Sequence, residues 1–67
     1  MSENLSVREQ QVLELIAIEL TTEQIAQNLK ISIPTVESHR RNMFRKMGVK
    51  SVVGLITEAL KNKLIKI

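Results

Sequence analysis

Cysteine, aspartate, tryptophan and tyrosine are absent from this 67-residue chain, and phenylalanine, proline and histidine occur once each. Without cysteine there is no disulfide framework and no thiolate chemistry, which points to a reducing, cytoplasmic setting. Without aspartate there is no phosphoacceptor of the receiver type. A metal site would have to combine His39 with scattered glutamates, at no recognised ligand spacing. The stretch Met1–Gln11 is too polar for a signal peptide, and no apolar run approaches membrane-spanning length. The expectation is therefore no catalysis, cofactor, metal, small-molecule site or membrane. The length predicts one domain over 1–67, burying only roughly 60% of the surface its unfolded chain exposes.

What the chain does have is charge of one sign in one place. Residues 1–29 set Glu3, Glu9, Glu14, Glu19 and Glu23 against Arg8 alone. Residues 30–50 set Lys30, Arg40, Arg41, Arg45, Lys46 and Lys50 against Glu37 alone, and the whole chain carries a net +3. Such asymmetry points to a polyanionic partner, although a solvated basic face accounts for charge alone equally well.

Periodicity and punctuation predict an all-α chain of four helices. Ser6-Val7-Arg8-Glu9 has the form of a capping box, and Glu9, Val12, Leu13, Ile16, Ala17 and Leu20 repeat at helical spacing, giving a helix over about 7–20. Thr21-Thr22-Glu23-Gln24 offers a second box, ahead of Ile25, Ala26 and Leu29 on one face, for a helix over about 22–29. Ser32 is a third N-cap, with Pro34 in the first turn where its missing N–H costs nothing; the helix runs over about 33–47 and stops at Gly48. Ser51 caps a fourth, over about 51–63.

The spacing within 22–41 is that of a helix-turn-helix, with Ile25, Leu29, Ile31 and Val36 as its locking contacts. The turn carries Lys30 where glycine is often found, so a wider connection is expected. At about 100° per residue, Val36, His39, Met43 and Met47 face a core, while Pro34, Glu37, Ser38, Arg41 and Arg45 take the opposite arc. His39 reads as a hydrogen-bonded packing residue and the methionines as core fillers. Arg41 is long enough to reach guanine O6 and N7, worth ~1–3 kcal/mol of discrimination. Ser32, Thr35 and the helix N-terminus suit a phosphate, as do Arg45 and Lys46 further along. Alternatively, Arg41 and Arg45 are only a solvated i,i+4 pair.

These residues together resemble a known family, the C-terminal DNA-binding domain of LuxR-type regulators, shared with NarL/FixJ response regulators and the sporulation regulator GerE. The resemblance covers about Leu5 to Leu64 and rests on Leu5-Ser6-x-Arg8-Glu9-x-x-Val12-Leu13-x-Leu15-Ile16-Ala17, on Glu23-x-Ile25-Ala26-x-x-Leu29-x-Ile31-Ser32, and on Thr35-Val36-x-x-His39-x-x-Asn42-Met43-x-x-Lys46-Met47-Gly48-Val49. It implies a helix-turn-helix regulator of transcription that places its third helix in the major groove of double-stranded DNA. It further implies that Glu37, Ser38 and Arg41 face the bases, and that Thr22, Ser32, Thr35, Arg40, Arg45 and Lys46 lie along the backbone. The chain departs from the family pattern at Glu19 and Lys63, which replace glycines, at Val52, which replaces a common arginine, and at Glu37, where a basic residue is frequent.

The resemblance also implies a homodimer through the fourth helix, and the residues supply their own argument for one. Val52, Leu55, Ile56 and Ala59 make an apolar stripe that Val53, Leu60 and Leu64 widen to roughly 180°, more than one core contact needs. The surplus residues Val53, Ile56, Leu60 and Leu64 form a candidate interface, or else cover the open end of a small core. Two other functions fit the same pattern: a sigma-factor region-four-like domain docking on RNA polymerase, and a helical protein-interaction module. The module would be indifferent to Arg41→Ala and sensitive to Leu60→Glu.

Overall fold

The computed structural model describes residues 4–66, which form four helices: α1 (Val7–Ala17), α2 (Thr22–Leu29), α3 (Ile33–Met47) and α4 (Val52–Lys61). All four begin as the sequence predicts. Ser6, Thr21, Ser32 and Ser51 are extended N-caps whose hydroxyls accept from the N–H three residues on. In α1 and α2 the capping is reciprocal, with Glu9 and Gln24 accepting from the N-cap N–H at 2.9 Å each.

The ends differ from expectation in two helices. α1 stops at Ala17 rather than near Leu20, and α4 at Lys61 rather than Lys63. The cause is one device used at every helix end. A residue with positive φ (Glu19, Lys30, Gly48 or Lys63) reverses the chain. The following N–H then reaches back to the helix: Leu20 to Leu15 O, Ile31 to Ala26 O, Val49 to Phe44 O and Leu64 to Ala59 O, at 2.8–3.1 Å. This is the Schellman closure, and the apolar residue after the reversal folds back onto the core. Leu20 therefore keeps the helical register of its predecessors while lying outside the helix. The same device corrects the expectation of a wide helix-turn-helix connection. Lys30 itself takes the left-handed conformation, φ 59°, and the turn stays at three residues.

The core is built from all four helices and the closing segment: Val12, Leu13, Ile16, Ile25, Ala26, Val36, Met43, Leu55, Ala59 and Ile65. Leu29 and Ile31 pack against it, completing the predicted lock between α2 and α3. α3 lies across both α1 and α2, which fixes its tilt and leaves its far side open. Ile56 on α4 and Leu64 in the segment after it rest partly on the core, and the Leu64 carbonyl accepts from Gln10 Nε2 at 2.8 Å. Val53 remains 77% exposed and Leu60 38%.

Candidate nucleic-acid interface

The exposed side of α3 follows from its buried side. Val36 and Met43 are fully enclosed, and His39, Arg40, Phe44, Lys46 and Met47 are half-buried along the flanks. This leaves Pro34, Glu37, Ser38, Arg41, Asn42 and Arg45 in solvent. The predicted base-facing residues Glu37, Ser38 and Arg41 thus share one open face, two turns long, on a helix whose other side is packed. His39 is half-buried as expected, but its imidazole makes no hydrogen bond among the described residues.

The residues predicted for the DNA backbone fall into three groups. At the start of α3, the Ser32 and Thr35 hydroxyls lie 2.7 Å apart, and the Thr35 N–H donates to Ser32 Oγ at 3.2 Å. Pro34 has no N–H, and the Val36 N–H is taken by the Ser32 carbonyl, so only the Ser32 and Ile33 N–H groups remain there for an anion. Across the motif, Arg40 Nη1 donates to Thr22 Oγ1 at 2.7 Å, tying the middle of α3 to the first turn of α2. That bond occupies one Thr22 lone pair and leaves its hydroxyl hydrogen able to donate outward. Arg45 is exposed in the last turn.

Lys46 stands apart. Its ammonium donates to Glu9 Oε1 at 2.8 Å, with the two side chains only 17% and 5% exposed. Its contact with the Asn4 carbonyl, at 3.5 Å, is long. The same Glu9 oxygen accepts from the Ser6 N–H at 2.9 Å, so one carboxylate caps α1 and anchors α3. Burial alone would raise the Glu9 carboxyl. The hydrogen bonds from Lys46 and Ser6, together with the Lys46 charge, outweigh burial and hold it below the usual carboxylate value.

Sequence reasoning missed this pair and the Arg40–Thr22 tie. One signal was available: Glu9 lies in register with Val12, Leu13 and Ile16, and a carboxylate on a buried stripe needs a cation against it.

The pattern on α3 has a match among known proteins. The sequence profile of the GerE family, described as bacterial regulatory proteins of the luxR family, matches residues 3–59. The chain belongs to the LuxR family. Like that family's helix-turn-helix units, it is a DNA-binding domain of a transcription regulator. It is 42% identical to the oxygen regulatory protein NreC of Staphylococcus aureus over 62 residues, 92% of this chain and 29% of that protein. The response regulator ChrA of a heme-sensing two-component system superposes with a TM-score of 0.90 at 34% identity, covering 97% of this chain and 32% of ChrA. The Vibrio cholerae LuxR-type receptor VqmA, a dimer in the absence of target DNA, gives a TM-score of 0.87 at 34% identity over 91% of this chain and 28% of VqmA. This LuxR domain therefore spans less than a third of each of these relatives.

Proposed function

We propose that the chain reads a specific sequence in double-stranded DNA, with α3 in the major groove, and that it regulates transcription in the bacterial cytoplasm. The observation that carries this reading is the open α3 face bearing Glu37, Ser38 and Arg41 on a helix packed against α1 and α2. Arg41 supplies a bidentate donor for guanine, Glu37 an acceptor for cytosine N4, and Ser38 a hydroxyl that serves either base. Thr22 with Arg40, Ser32 with Thr35, and Arg45 hold phosphates on either side. Lys46 joins them only with whatever hydrogen its bond to Glu9 leaves. These phosphate contacts give most of the affinity and make it fall steeply with salt.

The second element of the reading is a homodimer through α4. Val53 and Leu60 stand in solvent beside the half-buried Ile56 and Leu64, and Val53 lines a shallow hollow with Ile16, Ala17, Val52 and Ile56, together with the polar Glu19 and Thr57. A second copy covering these side chains would place two α3 helices on two-fold-related half-sites. The oxygen regulatory protein NreC and the response regulator of a heme-sensing system both share this domain, which supports giving it the DNA-reading role common to them.

Selection of bound sequences from a random duplex pool at near-physiological salt tests the reading. The expected result is a two-fold-related consensus with guanine at matching places in each half. Retention that is salt-sensitive yet blind to sequence would overturn base reading. A single unpaired half-site would overturn the dimer alone.

A further inference from the structure

Pro34 is fully part of the outer face of α3 but has no share in the hydrogen-bonding chemistry assigned to that face. It is exposed in the first turn and follows Ile33, which is 42% exposed, so the leading end of the helix carries two consecutive apolar side chains in solvent. At about 100° per residue, Pro34 and Arg41 lie within roughly 20° of each other around the axis, about 10 Å apart along it. A helix that aims Arg41 at a base edge therefore aims Pro34 into the same groove.

The proline ring has no donor, no acceptor and no charge. Against a phosphate, against guanine O6 or against cytosine N4 it would strip water from a polar group and return no hydrogen bond, which is unfavourable. The major groove offers one apolar group, the C5-methyl of thymine. The polar groups at this helix start point to the same division. The Ser32 and Ile33 N–H groups and the Ser32 and Thr35 hydroxyls form its donors, and Pro34, which has no N–H, adds none.

We infer that Pro34 reads the methyl group of a thymine, about three base pairs from the guanine read by Arg41, given about 3.4 Å of rise per base pair. The inference rests on the placement of α3 in the major groove proposed above, and it names one letter of the site.

The test replaces each thymine of the selected site in turn with deoxyuracil, which removes the methyl and leaves base pairing intact. Wild-type protein should bind about fourfold more weakly when one thymine per half-site, two to four base pairs from the conserved guanine, is replaced. Pro34→Ser, which suits the first turn of a helix at this exposed position, should bind thymine and uracil equally there and keep the guanine preference. Three results would overturn the inference while leaving base reading intact: no preferred thymine in that window, indifference of the wild type to uracil, or undiminished discrimination by Pro34→Ser. Loss of discrimination in Ile33→Ser but not in Pro34→Ser would likewise overturn it. A pool that yields no consensus at all removes the underlying reading of α3 as well.

Discussion

Arg41 and Lys46 stand five residues apart on one helix, each a long cation that sequence alone offers equally to DNA. The fold treats them oppositely. Arg41 is left in solvent on the open face, whereas Lys46 turns inward to a buried carboxylate 37 residues away. One cation is available to a partner, and the other holds the helix that presents it. A basic cluster is thus not a footprint until the carboxylates behind it have been located. In this domain Glu9 ties Lys46 into the framework that holds α3.

The sharpest way to break that contrast is to remove each cation in turn. Lys46→Met keeps the stem but leaves Glu9 buried without its partner, and should cost about 2–3 kcal/mol of unfolding free energy. A urea titration reads this directly; a change under ~0.5 kcal/mol would return Lys46 to the surface set. Arg41→Ala should do the reverse, weakening binding to the selected site by ~1–3 kcal/mol while unfolding moves by less than ~0.5 kcal/mol. An equal loss on random duplex would make Arg41 a phosphate contact only.

A titration sharpens the inward half of the comparison. The folded-state pKa of Glu9 lies below its ordinary 4.5, so the stabilisation is present above that value and is lost as pH falls through the lower, folded one. Wild type should therefore exceed Glu9→Gln in stability near neutrality, and the gap should close as pH drops below 4.5. A gap that stays constant with pH would mean the carboxylate's charge contributes nothing.

The smallest effect concerns a third cation, Lys30, which is exposed and backbone-strained at φ 59°. Lys30→Gly should raise stability by about 1 kcal/mol by relieving the left-handed conformation, and should leave the selected sequence unchanged. A changed sequence would place Lys30 among the readers.

The beginnings of these helices were legible in the sequence because a cap is local. Ser6 with Glu9, and Thr21 with Gln24, declare themselves within four residues, and the α2–α3 spacing follows from them. The ends were less legible. Glu19 and Lys63 are not residue types that announce a left-handed conformation, so only the glycines of the family pattern at those places hinted at it, and Leu20 continues the helical period past the true end of α1. At the site, the open face of α3 could be read from periodicity because its complement is the apolar stripe of Val36 and Met43. The Glu9–Lys46 and Thr22–Arg40 ties could not. Each joins residues far apart in the chain, 37 and 18 positions, and depends on how the helices cross.

The four closures carry a consequence of their own. Connections of four, three and four residues, each locked by a backbone reversal and an inward-folded Leu20, Ile31 or Val49, leave no slack through which α3 could tilt or slide. The domain then behaves as a stamp whose die cannot be recut.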